Sequence, residues 1–117
     1  MSLSAIPETL SVNAQFPQEV ASIGNVRVDF ARMSVLRNGR ETQLTATEFK
    51  LLAFLLQNPE RVITRKELLE TVWGCPADPK TRTVDIHISK LRQKVENEPA
   101  NPVHLRTVHW VGYKFIP

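Results

Sequence analysis

The segment from Thr45 to Gln57 restricts the fold more than any other part of the chain. Thr45-Ala46-Thr47-Glu48 has the spacing of a capping box. The Thr45 hydroxyl can accept from the Glu48 amide while the Glu48 side chain reaches back to the cap amide. Asn58-Pro59 ends the helix that starts there. Phe49, Leu52, Ala53 and Leu56 share one face, and Leu51, Phe54 and Leu55 spread round the sides. A helix apolar on so many sides has to be covered from several directions, so it is the expected hub of a core. It is not a membrane span. The longest strongly apolar run, Leu51 to Leu56, falls far short of the roughly 20 residues a bilayer needs. The N-terminus lacks a basic region followed by an apolar stretch, so no signal peptide is expected, and the chain reads as soluble.

Elements on both sides can supply the cover. Val26, Val28 and Phe30 alternate with Arg27 and Asp29, the pattern of a half-buried strand. Met33 to Arg37 is a second candidate strand, and Glu41 to Leu44 a third. Asn38-Gly39 between them is a strong hairpin signal, because both residues tolerate the positive φ of a type I′ turn. Beyond the hub, Val62-Ile63 reads as a short extended link and Thr64-Arg65-Lys66-Glu67 as a second capping box. That helix presents Leu68, Leu69 and Val72 to the core and closes at Trp73-Gly74, with Gly74 in the left-handed position. A third helix, capped by Asp78 or Thr81, runs to about Glu96, with Val84, Ile88, Leu91 and Val95 in a narrow apolar stripe. The tail from Val103 to Ile116 reads as a hairpin, with Gly112 as its expected turn residue.

These elements predict an α+β domain: a winged helix-turn-helix with an N-terminal antiparallel sheet, a three-helix core and a C-terminal β-hairpin wing. The 117 residues suit one such domain. Residues 1–20, with Pro7, Pro17 and no periodicity, read as a flexible lead-in or linker remnant, and 21–117 as the folded unit. The single cysteine, Cys75, can form neither an internal disulfide nor a multi-thiolate metal site. His87, His104 and His109 have no ligand spacing, so no metal is expected. The four glycines build no phosphate-binding loop. No nucleophile–base pair or paired-carboxylate motif stands at recognisable spacing, so neither a cofactor nor an enzymatic activity is expected.

A net charge of +3 names no partner, but its distribution points to one. Residues 61–94 hold 8 Lys/Arg against 4 Asp/Glu, whereas residues 1–60 hold 5 against 6 and residues 95–117 hold 2 against 2. Localised basic charge is the electrostatic footprint of a nucleic-acid face or, alternatively, an ordinary solvated helix surface. The side of the third helix opposite its apolar stripe carries Arg82, Ile86, Ser89, Lys90 and Gln93, flanked by Thr83, His87 and Lys94. A β-branched residue amid such a face suits a major groove, where it can pack on a thymine methyl while Arg and Lys read guanine or hold phosphates. Thr64 and Arg65 stand at a helix N-terminus, which welcomes a phosphate. Asp85 reads as structural, orienting a neighbouring Arg or Lys.

Four ordered motifs resemble the OmpR/PhoB-type winged-helix effector domain of two-component response regulators. They are Leu44-Thr45-Ala46-Thr47-Glu48-Phe49, Val62 to Leu69 with Val72-Trp73-Gly74, Arg82 to Lys94 as a recognition helix, and Thr107-Val108 with Val111 to Phe115 as a wing. The resemblance covers about residues 22–117. It implies a four-stranded N-terminal sheet and sequence-specific binding of double-stranded DNA at promoters by two copies, head to tail on direct repeats. It further implies a bacterial, cytoplasmic protein in a phosphorelay, with a receiver domain preceding this one in the response regulators; residues 1–20 are too short to be that receiver. Trp73 is implied as a phosphate contact. The loop Gly74, Cys75, Pro76, Ala77, Asp78, Pro79 and Lys80 is implied as a contact for RNA polymerase. The wing contacts fall on His109 and Trp110, which stand where the family commonly has Arg and Gly; Ser89 stands at a commonly basic position. The competing reading is a winged helix used as a protein-interaction module, with Trp110 at the contact.

Overall fold

A computed structural model of the chain describes residues 20–74 and 82–117. The lead-in expected over 1–20 lies outside the described residues except for Val20. The loop Cys75 to Lys80 and the cap at Asp78 or Thr81 also lie outside them. Four strands come first: β1 (Val20–Ile23), β2 (Val26–Asp29), β3 (Ser34–Arg37) and β4 (Arg40–Gln43), an antiparallel sheet in that order. Val26 and Val28 are buried and Arg27 is exposed, as the alternation requires. Phe30 is buried in the turn after β2 rather than in the strand, and Met33 sits in that turn with φ 54, so β3 begins one residue later than expected. Asn38 and Gly39 turn the β3–β4 hairpin with φ 52 and 79.

Helix α1 (Ala46–Gln57) is the hub. Both capping-box bonds form: the Glu48 amide donates to Thr45 Oγ1 at 3.1 Å and the Thr45 amide to Glu48 Oε1 at 3.0 Å. Leu51, Leu52 and Leu55 are fully buried. The expected link after it is itself a strand, β5 (Ile63–Thr64). Next comes α2, an α-helical turn Arg65–Leu68 continuing as a π-helical turn Leu69–Trp73 and ending at Gly74, which takes the left-handed φ of 68. The second capping box forms only in part. Thr64 accepts from the Glu67 amide at 3.0 Å, but the Glu67 carboxylate turns to the Arg61 guanidinium at 2.9 Å, a charge-assisted bond that outcompetes a neutral amide.

Helix α3 (Arg82–Val95) buries the expected stripe of Val84, Ile88, Leu91 and Val95. Strands β6 (Leu105–Val108) and β7 (Gly112–Phe115) form the wing, and β7 lies between β5 and β6. Gly112 is not the turn residue. It sits inside β7 opposite Thr64 and Val108, while the turn is made by His109, Trp110 and Val111, with the Val111 amide on the Val108 carbonyl at 3.0 Å. Trp110 itself takes the positive φ, 68, which costs a non-glycine residue about 1 kcal/mol. The predicted winged-helix α+β architecture is the one observed. Among the described residues no helix is long and apolar enough to cross a membrane.

Two charged side chains bind the wing to α3. Glu96, 1% exposed, accepts from the amides of Val103, His104 and Leu105 at 3.0, 2.9 and 2.7 Å. Arg92 donates to the Leu105 carbonyl at 2.9 and 2.7 Å and to Thr107 Oγ1 at 2.8 Å. At the other side of α3, Lys94 Nζ lies 2.6 Å from Glu48 Oε1. Burial opposes ionisation of Glu48, but the bonds from Lys94 and the Thr45 amide outweigh it and hold the carboxyl below its ordinary value. A depressed folded-state value gives stability that is present above the ordinary glutamate range and is lost as pH falls through the folded value. Thermal unfolding from pH 7 downward should therefore show a Tm loss in the acid range that is shallower in Glu48→Gln. An identical pH profile in the two proteins would remove the pair from the account.

Candidate nucleic-acid interface

The outward face of α3 exists because its inward stripe is fully used. Arg82, Ile86, Ser89, Lys90 and Gln93 are all exposed along the side opposite Val84, Ile88, Leu91 and Val95. Ile86 is 47% exposed in the middle of this polar row. Burial of the stripe fixes the helix's rotation, so these five side chains are presented together. Thr83 is half-buried, and its carbonyl accepts from His87 Nδ1 at 2.9 Å. That bond assigns the proton of a neutral ring to Nδ1 and leaves Nε2 as the nitrogen able to meet an outside partner. The His87 ring also meets the Trp73 indole edge-on, with centroids 5.1 Å apart. Trp73 is thus half-buried at the α2–α3 contact.

Lys94 is not on this face. Its ammonium donates to Glu48 and, at 2.9 Å, to the Gln43 carbonyl. The physical reason is that Glu48 is 2% exposed, and a buried carboxylate requires a charged partner. Arg65 is also engaged: its Nε donates to Asp85 Oδ1 at 2.8 Å and its guanidinium lies 5.1 Å from the Tyr113 ring centroid. The Tyr113 hydroxyl donates to the same Asp85 oxygen at 2.5 Å. Asp85 therefore joins α2, α3 and β7 at one atom, the structural role read for it from its place in the helix. Burial and then the Asp85 carboxylate push the Tyr113 phenol up to about 12. Burial works against Asp85, but Tyr113 and Arg65 hold its carboxyl below the ordinary carboxylate value. These three side chains tie α3 to the start of α2 and to the wing strand β7.

Thr64 is spent on the α2 cap, and its residue remains exposed beside Arg65. His109 and Trp110 stand exposed at the wing tip. Of the implied polymerase-contact loop only Gly74 is described, and it is exposed. Among the described residues no group of three or more His, Cys, Asp or Glu side chains could hold a metal ion. Sequence reasoning missed Arg92 and Glu96 as the struts of the wing. Their partners lie 7 to 15 residues away, across a loop that no motif spacing spans; the available signal was an acid and a base at the end of a helix leading into a proline-bounded loop.

The family model described as "Transcriptional regulatory protein, C terminal" matches residues 39–115. The DNA-binding response regulator MtrA of Mycobacterium tuberculosis is 45% identical over 105 residues, covering 90% of this chain and 46% of that protein. The chain spans less than half the length of such curated relatives. Among solved structures, the Klebsiella pneumoniae RstA DNA-binding domain in complex with the RstA box superposes with a TM-score of 0.71 at 28% identity, over 85% of this chain and 98% of that one. The Thermotoga maritima response regulator DrrB, an OmpR/PhoB homolog, superposes with a TM-score of 0.77 at 30% identity, over 98% of this chain and 51% of that one. Four-stranded sheet, three helices, wing and matched sequence agree: the chain belongs to the OmpR/PhoB-type winged-helix effector domains of transcriptional regulatory proteins.

Proposed function

We propose that this chain binds double-stranded DNA at promoters in a sequence-specific way, as the effector part of a phosphorelay response regulator in the bacterial cytoplasm. The observation that carries the reading is the outward face of α3: Arg82, Ile86, Ser89 and Lys90 exposed in one row, on a helix whose rotation is fixed by its buried stripe. Arg and Lys supply guanine or phosphate contacts, Ile86 an apolar contact for a thymine methyl, and Ser89 a short hydrogen-bonding group. Thr83 and His87 flank the row. The surface binds rather than catalyses. Two copies head to tail on direct repeats, a preceding receiver domain and a polymerase contact through Gly74 to Lys80 belong to the same reading. They are supported by membership of the family.

The test is a salt titration of binding to duplex DNA. Log affinity should fall linearly with log salt, with a slope of about 0.9 per phosphate contacted. Lys90→Ala should lose roughly 1–3 kcal/mol at one base position if Lys90 reads a guanine, or reduce the slope by about 1 uniformly if it holds a phosphate. Absence of binding to any duplex at low salt would overturn the reading.

A further inference from the structure

Trp110 is the most exposed large apolar side chain among the described residues, at 98%. Its backbone has φ 68, the geometry in which glycine is at ease. A tryptophan held there strains the turn and removes no apolar surface from water, so the stability of the fold does not explain it. The position is nonetheless well fixed relative to α3. Arg92 ties β6 to α3, Tyr113 ties β7 to Asp85, and the Val111 amide closes the turn. Trp110 also lines, with Arg65, Asp85 and His109, a single cleft of about 410 Å³. The indole therefore stands at the opening between the wing and the starts of α2 and α3, beside Arg65 and Asp85.

We propose that Trp110 is a wedge for the minor groove: with α3 in the major groove, the wing tip meets the adjacent minor groove and the indole inserts partly between two base pairs. This rests on the DNA-binding reading above. A rigid, uncharged plate finds in a stack of bases a partner matched to its π-face. A protein partner fits less well. Val111, 43% exposed, is the one other exposed large apolar side chain in the turn, and an isolated plate is far from the roughly 800 Å² per partner of a stable protein interface. Inserted aromatics select by deformability. Pyrimidine–purine steps, TA and CA/TG, unstack most easily, so Trp110 sets a preference for such a step under the wing without a hydrogen bond to any base.

The experiment compares wild type, W110G and W110F on a selected duplex and on the same duplex with the step under the wing replaced by AA, each across a salt series. W110G relieves the positive φ, so its Tm should hold or rise, which shows that it is folded. Its affinity for the selected duplex should fall about tenfold. The salt slope should stay unchanged, because no charge is lost. Its discrimination between the two duplexes should collapse, and W110F should keep most of both properties. Wild type that binds while W110G binds equally, with the same step preference, overturns the wedge and leaves the proposed function standing. A fall in salt slope by about 1 in W110G also overturns it, since the tip would then act through a phosphate. Failure of the wild type to bind any duplex removes both.

Discussion

Gly112→Ala is expected to be the most damaging single-methyl change in the described fold. An ideal Cβ at Gly112 would stand 2.0 Å from the Ile63 carbonyl oxygen and 2.8 Å from Thr64 Cα. Both are backbone atoms of β5, and neither can rotate away. Relief requires β5 to leave β7, which breaks the pairings Ile63↔Tyr113 and Thr64↔Gly112. Ile63 is fully buried, and Thr64 is the cap of α2. The displacement would therefore reach both the core and the start of the helix that carries Arg65. Overpacking of this kind costs about 3 kcal/mol or more, a large share of the roughly 5–15 kcal/mol that stabilises a domain. Thermal denaturation followed by circular dichroism is the check. A Tm within about 2 °C of wild type would show that the β5–β7 approach is not as close as described.

The second large effect is expected at Glu96. Its carboxylate collects the amides of Val103, His104 and Leu105, and Arg37 donates to its backbone carbonyl. The loop between α3 and β6 thus reaches the wing by converging on one buried acid. Glu96→Ala leaves the Leu105 amide buried without a partner and two more weakly served, a loss of about 3 kcal/mol. The wing should loosen before the rest unfolds, because the N-terminal sheet meets Glu96 through Arg37 at the backbone carbonyl, which Glu96→Ala keeps. Amide hydrogen exchange should show faster exchange in β6 and at residues 103–105, with α1 protected as in wild type. Glu96→Gln keeps one acceptor oxygen and should lose less. Uniform acceleration across α1 and β6 together would contradict the picture of a strut for the wing.

The parts of this fold that were legible in advance are those whose signal is local. The Thr45 box, the Asn38-Gly39 turn, Gly74 after α2 and the four-residue stripe of α3 each depend on neighbours within a turn or two, and each sits where the residues place it. The outward row of α3 follows from the stripe, since burying one side of a helix determines the other. What was not legible depends on residues far apart in sequence. Lys94 belongs to Glu48, 46 residues away, so it leaves the outward face. Arg65 belongs to Asp85, 20 residues away. The expected Val62-Ile63 link gives way to a strand over Ile63–Thr64 because β7 lies beside it. Gly112 was misread for a related reason. Glycine serves either a positive φ or a close approach, and one sequence does not distinguish them. Here the close approach is made by Gly112 and the positive φ is left to Trp110.

The proposed reading of DNA by the α3 row depends on the buried stripe, on Asp85 with Arg65 and Tyr113, and on Glu96, which hold α3 against the core and the wing. The most direct test is unbiased selection of bound sequences from random duplexes, with wild type and Lys90→Ala in parallel. Wild type should enrich a single motif, recurring as direct repeats, and Lys90→Ala should enrich the same motif, relaxed at one base position if Lys90 reads a guanine and unchanged if it holds a phosphate. No sequence enriched by wild type over the starting pool would contradict the proposed reading.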